Sequence, residues 1–159
     1  TIFTRRHDMT KLFRTLLLTA SFILAAPVFA AEHGTPDEAI AMVQKVISYI
    51  KANGKEKAIA EVNSQKQFID RDMYIFIGDA NGTSLAHGGN PRLVGKNLTE
   101  LKDVDGKAFV KEGIEILKNK TSGWVDYKWP NPVTKQIENK SLYFEKFGDM
   151  VISCGVYKS

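Results

Sequence analysis

Cysteine is nearly absent from this chain: Cys154 is the one such residue among 159. A lone cysteine allows no internal disulfide, so the fold must be held by its core. Cys154 lies in an alternating apolar pattern, the setting of a small buried hydrophobe rather than a reactive thiol. It is also too far from the N-terminus to be a lipoprotein cysteine. Histidine is scarce, with three residues. His7 and His33 fall in sequence read as removed or flexible, which leaves no histidine cluster for a metal. Asp79 and Asn81 resemble part of a calcium loop, but the later glutamate is missing, so a turn is expected there. There is no Gly-x-Ser-x-Gly elbow, zinc pair or phosphate loop. The sequence therefore names no catalytic residue and no cofactor. Charge blocks are missing too, which argues against a nucleic-acid or membrane-surface partner.

The one long apolar run is at the N-terminus. Arg5, Arg6, Lys11 and Arg14 precede Leu16 to Ala26, and Val28-Phe29-Ala30 follows with small residues at the cleavage positions. This is the pattern of a secretory signal peptide over residues 1–30, cut after Ala30, with Met9 as the natural start and 1–8 an upstream extension. An uncleaved anchor is the alternative, for which the run is short. The leader holds four of the 22 basic residues and one of the 18 acidic ones, so residues 31–159 carry a net charge near +1. That remainder is long enough for one domain, expected in the periplasm.

Thr35-Pro36-Asp37-Glu38 is a helix start with a capping box. Ile40, Val43, Ile47 and Ile50 follow at helical spacing, and Asn53-Gly54 stops the helix. A shorter helix follows to about Asn63. Met73 to Ile77 is a nearly continuous apolar run, as for a strand buried on both faces. Asp79-Ala80-Asn81-Gly82 turns into a short strand from Thr83 to Gly88, with Leu85 and His87 expected on one face. A loop spans Gly89 to Val104, and Asp105 is expected to cap a helix carrying Phe109, Val110, Ile114 and Leu117. Met150 to Tyr157 alternates clearly. Met150, Ile152, Cys154 and Val156 share one face, expected under the first helix, and the small Ser153 and Gly155 share the other. The order helix, helix, strand, strand, helix, strand, strand, strand predicts an α+β, PAS-like fold, with a long N-terminal helix packed on a five-stranded antiparallel sheet.

The densest aromatic stretch is Trp124-Val125-Asp126-Tyr127-Lys128-Trp129. Alternation puts Val125, Tyr127 and Trp129 on one face of a strand, which Pro130-Asn131-Pro132 ends. A return strand begins near Lys140 and can bring it close to those rings. Aromatic walls with one cation suit a small organic anion; the same rings also serve as plain core. Lys140 can supply a point charge, or stand exposed on its strand. His87 can donate to a carboxylate, or make a local hydrogen bond. Tyr127 and Tyr143 can offer hydroxyls, and Ser153 leaves room. Asp72 and Asp126 suit solvent or turn roles.

Asp70-Arg71-Asp72-Met73-Tyr74-Ile75-Phe76-Ile77 with Asn81-Gly82, Leu85-Ala86-His87, Asn90-Pro91 and Val94-Gly95-Lys96-Asn97 resembles the single Cache domain family. Gly123 to Pro130, Lys140-Ser141-Leu142-Tyr143 and Gly155-Val156-Tyr157 continue the resemblance, from about residue 35 to 158. It implies an extracytoplasmic sensor module with a PAS-like sheet around a short carboxylate such as acetate, propionate, lactate or pyruvate. The ligand-binding set expected on that basis is His87, Tyr127, Trp129, Lys140, Tyr143 and Ser153. Receptor members sit between two membrane spans, whereas this sequence ends two residues after Tyr157. The expectation is thus a free-standing domain that signals through, or delivers to, a membrane receptor or kinase partner. A small periplasmic enzyme acting on an organic acid, and a ligand-free protein-interaction domain, are the alternative readings. N-terminal sequencing of exported protein should begin at Ala31; residues 9–30 retained in a membrane fraction would show an anchor instead.

Overall fold

A computed structural model describes residues 33–158. The leader, its cleavage point and His7 lie outside the described residues. Helix α1 (Pro36–Asn53) starts as its capping box requires: Glu38 N donates to Thr35 Oγ1, and Glu38 Oε2 accepts from Thr35 N at 2.8 Å. Its end at Gly54 has φ 86°, a backbone conformation that glycine adopts without a Cβ penalty. Helix α2 (Lys55–Asn63) follows, then the two-residue strand β1 (Ile69–Asp70), β2 (Met73–Asp79) and β3 (Ser84–His87). Helix α3 (Phe109–Leu117) precedes β4 (Ser122–Pro130), β5 (Ile137–Phe147) and β6 (Met150–Tyr157). Among the described residues, no helix is long and apolar enough to cross a membrane.

The sheet is antiparallel in the order β1-β2-β6-β5-β4, and β3 also pairs with β2. The two short strands β1 and β3 thus both pair with β2, and the expected five strands become six. Cα partners put Cys154 opposite both Ile75 and Tyr143, and Ser153 opposite both Phe76 and Phe144. Directly opposed residues share a face, so the two faces separate cleanly. One carries Ile75, Ile77, Ile152, Cys154 and Val156, which pack with Val43, Val46, Ile47 and Ile50 of α1 in one core. The other carries Val125, Tyr127, Leu142 and Phe144, packed with Phe109 and Val110 of α3 and Leu98 of the long loop. The first helix therefore docks on the Ile152 and Cys154 face, as its stripe and the β6 alternation predict.

Two local expectations fail for identifiable reasons. Leu85 and His87 do not share a face: the β2–β3 register shifts at Ile77/Gly78, so Leu85 packs with the α1 core while His87 lies opposite Phe76. A bulge interrupts the alternation that the pattern assumed. Asp105 does not cap α3, whose N-cap is Ala108 with no side-chain hydrogen bond. Asp105 instead pairs with Lys128 at 2.9 Å.

The loop after β3 is tied down at both ends. Ser84 N donates to Lys96 O at 2.9 Å, Gly95 N to Ser84 O at 2.8 Å, and Leu98 N to Gly82 O at 2.8 Å. Farther on, Asp103 accepts from the backbone N–H groups of Asp105, Lys107 and Lys128, which anchors the loop to β4. These ties hold Leu98 over the α3 side of the sheet. Ile47 is 4% exposed and belongs to the α1 core. Truncation to Ile47→Ala should cost about 2–5 kcal/mol in urea denaturation; a loss well under 1 kcal/mol would mean that α1 contributes little to the core.

Candidate ligand-binding site

Lys140 is the unusual residue of this fold. It lies on β5 opposite Tyr127 of β4 and Tyr157 of β6, and only 1% of it is exposed. A Cβ added at Gly155 would stand 2.0 Å from Lys140 Cε. The notch that the small β6 face leaves is therefore filled by the lysine stem itself. The ammonium lies 3.9 Å from the centre of the Tyr74 ring and 4.4 Å from that of Tyr157. It donates to Tyr157 Oη at 3.2 Å, and Tyr157 Oη donates to Pro130 O at 2.7 Å. Among the described residues no carboxylate lies within ion-pair distance of Nζ. Two aromatic faces and one hydroxyl compensate part of the charge. Burying an ammonium without an anion still costs several kcal/mol.

Tyr74, whose ring carries that ammonium, is one wall of a pocket on the α3 side. His87, Phe76, Phe109, Tyr127, Trp129 and Leu142 also wall it, with Leu93, Leu98 and Leu101 from the loop. The free space is small, ≈ 20 Å³, about what one water needs. Phe109 stacks on Tyr127 with centroids 4.0 Å apart, and Trp129 packs edge-on to Phe109 at 5.3 Å. Helix α3 thus fixes the rings that β4 presents. Burial raises the Tyr127 hydroxyl well above the usual tyrosine range, keeping it neutral.

His87 brings a second polar group to this wall. Its Nδ1 accepts from Gly89 N at 3.2 Å and Asn90 N at 2.9 Å. Both partners are donors, so the neutral ring carries its proton on Nε2. Burial, and secondarily the nearby Lys140 charge, bring the imidazole down to about 4. His87 is therefore a neutral donor at pH 7.

Among the expected ligand residues, His87, Tyr127 and Trp129 line this pocket; Lys140 does not line it but rests against its Tyr74 wall, and Ser153 lies farther along the same face, under α3. Tyr143 does not join them. It is three residues from Lys140 on one strand, so it points to the α1 face, where its hydroxyl donates to Glu145 at 2.8 Å and its ring lies 5.2 Å from Trp124. Tyr74, Phe76, Phe109 and Tyr157 were not singled out from sequence. Parity marks the three on strands: Tyr74 and Phe76 share a face of β2, and Tyr157 follows Ser153 and Gly155 on β6; Phe109 shows in sequence only as part of the apolar face of α3.

Two other expectations need correction. Asp72 is not a solvent or turn residue: it is 2% exposed and accepts from Gly34 N at 3.0 Å, His33 Nδ1 at 2.6 Å and Asn131 Nδ2 at 3.3 Å. His33 is accordingly held in place rather than flexible. This clasp joins the start of α1 to the turn between β4 and β5. Cys154, by contrast, is buried as expected. Its Sγ lies 3.8 Å from Met42 Sδ on the α1 face, and burial pushes the thiol up to about 12. It is a poor nucleophile, and the sheet separates it from His87.

The low folded-state value of His87 has a defined pH consequence. Between about 6.5 and 4 the unfolded chain binds a proton that the folded chain refuses, so stability falls as pH drops through that window. The loss assigned to His87 should reach about 3 kcal/mol by pH 4. Urea denaturation of wild type and His87→Gln at pH 7 and pH 4 reads it as a difference in slope; parallel slopes would remove the effect from His87.

Comparison with known proteins places this geometry in a family. Residues 37–159 match the family model dCache_2, described as Cache domain. The methyl-accepting chemotaxis protein McpP of Pseudomonas putida is 31% identical over 90 residues, 55% of this chain. That match takes in 16% of McpP, so the chain corresponds to a small part of that relative. The crystal structure of a methyl-accepting chemotaxis protein from Vibrio parahaemolyticus superposes with TM-score 0.67 at 26% identity, over 76% of this chain and 86% of the other. A structure described as the basis for carboxylic acid recognition by a Cache chemosensory domain gives 0.65 at 25% identity, over 77% and 92%. These relatives are chemoreceptor proteins or their sensor domains rather than enzymes. The chain belongs to the Cache domain family, the extracytoplasmic sensor domains of receptors.

Proposed function

We propose that this domain binds a short monocarboxylate, of the acetate, propionate, lactate or pyruvate class, with its carboxylate on Lys140. The observation that carries the reading is the buried ammonium with no carboxylate partner among the described residues. An anion beside the Tyr74 ring supplies the missing countercharge. The Nε2–H of His87 and the Tyr127 hydroxyl are further donors on the same wall, and Trp129 closes it. Both are neutral at pH 7, so a single negative charge balances the site. The carboxylic-acid-recognising Cache neighbour supports the ligand class. The domain acts in the periplasm, delivered there by residues 1–30, and its bound state is read by a membrane receptor or kinase.

Calorimetry with acetate, propionate, lactate and pyruvate tests the class. Removing the charged partner of a buried anion costs on the order of 2–5 kcal/mol, or roughly thirtyfold or more in affinity. Lys140→Met should therefore stay folded and bind whichever acid the wild type prefers at least that much more weakly. Unchanged affinity in Lys140→Met would move the site elsewhere, and wild-type binding to none of the four would end the reading.

A further inference from the structure

Lys140 is enclosed, and its enclosure is firmer on some sides than on others. It is 1% exposed and does not line the ring pocket, so an anion reaches the ammonium only if a neighbour moves. Tyr157 is fixed by its hydroxyl, which donates to Pro130 O at 2.7 Å. Tyr127 is fixed by its stack on Phe109 at 4.0 Å. An open groove beside β4 also touches Lys140. Its other lysines, Lys107, Lys128 and Lys158, are each paired with a carboxylate, and Asp103 has no ion-pair partner among the described residues, so the groove does not invite an anion. Tyr74 is held differently. A Cβ added at Gly89 would stand 2.7 Å from Cε1 and Cζ and 2.8 Å from Cε2 of that ring. Near-equal distances to three ring atoms put it over the ring centre. The ammonium lies 3.9 Å from the same centre, too near to share that face. The Tyr74 ring is therefore clamped between the Gly89 backbone and the Lys140 charge.

The outer jaw of that clamp is a short segment bounded by tied glycines. Gly88 N donates to Ile75 O at 2.8 Å, Gly88 O accepts from Gln65 Nε2 at 2.7 Å, and Gly95 N donates to Ser84 O at 2.8 Å. Between these ties, among the described residues, residues 89–94 hydrogen-bond to the strands and helices through one atom. That atom is His87 Nδ1, which accepts from Gly89 N and Asn90 N. We infer that residues 89–94 are a latch that holds Tyr74 shut over Lys140, and that release of the two amides from His87 lets the ring tilt aside and uncovers the ammonium. This rests on Lys140 holding a carboxylate, and adds how that carboxylate gets in. Gly95, at φ 80° with nothing within 4 Å of an added Cβ, can serve as the far hinge. Gly89 is needed for the opposite reason: a side chain there would push on the ring.

Labelling of the wild-type protein reads the latch without any ligand. Reductive methylation with formaldehyde reports on Lys140 by peptide mass, and iodoacetamide reports on Cys154, which is 0% exposed on the α1 face. A latch that opens locally makes the Lys140 rate almost flat in low urea, while the Cys154 rate climbs as global unfolding does. Equal urea slopes would mean that only unfolding uncovers Lys140, and would overturn the latch. Gly89→Ala is the second probe. Its Cβ would overlap the Tyr74 ring, so the segment must lift. Lys140 methylation should then speed up about tenfold or more, with Cys154 within about twofold. A Lys140 rate indifferent to Gly89→Ala also overturns the latch, because the reagent then enters from another side. Where the variant speeds Cys154 equally, it has only lost stability and the wild-type slopes decide. Saturating acetate, propionate, lactate or pyruvate should slow methylation of Lys140. Local opening without protection by any of these acids removes the carboxylate reading and leaves the moving segment. Protection with equal urea slopes keeps the carboxylate reading and removes the latch.

Discussion

One end of the sheet, where β2, β6 and β5 meet, is arranged around a buried ammonium. Lysine is seldom buried, because desolvating its charge costs more than its stem gains. Here the stem lies in the notch at Gly155, and the charge rests against two tyrosine rings and one hydroxyl. Each of these contacts comes from a different place: Tyr74 from β2, Tyr157 and Gly155 from β6, and Lys140 itself from β5. The arrangement exists only when β2, β6 and β5 are paired in this order. A one-residue slip of β5 would turn Lys140 to the α1 face, beside Val156 in the apolar core and away from the Tyr74 and Tyr157 rings.

The opposite face works by a simpler rule. It is a closed apolar core of α1 on the sheet, and its polar groups are confined to the edge. Asp72 gathers that edge, joining His33 and Gly34 before α1 to Asn131 after β4. Asn131 is itself 1% exposed, donates to Glu138 at 2.8 Å and accepts from Val133 N at 2.8 Å. The same turn includes Pro130, whose carbonyl accepts from Tyr157. The start of α1 and the ammonium site are therefore connected through one short turn by hydrogen bonds between buried groups, which are costly to leave unmade.

What could be read from sequence follows from how local each signal is. The α1 stripe, its capping box and the β6 alternation are short-range patterns, and the face assigned to α1 follows from them. The burial of Lys140 is not local. It depends on a glycine on the neighbouring strand and a tyrosine two strands away, and the sequence leaves its exposure open. Tyr143 illustrates a different loss: its odd separation from Lys140 along one strand already places it on the other face. The bulge at Ile77/Gly78, which separates Leu85 from His87, has no signal beyond Gly78 itself. Asp72 resembled a turn residue because a turn does precede β2; its burial comes from α1 and Asn131, which are distant in the chain.

The polarity of the pocket constrains what an anion on Lys140 can carry with it. The donors of the ring pocket, His87 Nε2–H and the Tyr127 hydroxyl, are both held neutral by burial. They stabilise an oxygen but cannot balance a second charge. Away from Lys140 the walls are Phe76, Leu98, Phe109 and Leu142, and a second carboxylate there would lose its hydration with no partner to replace it. An amino group beside the carboxylate would fare no better, because it would meet the Lys140 charge at short range in a medium that screens it weakly. If the proposed site is right, one buried cation, neutral donors and aromatic walls would together select for a single negative charge on an otherwise uncharged body.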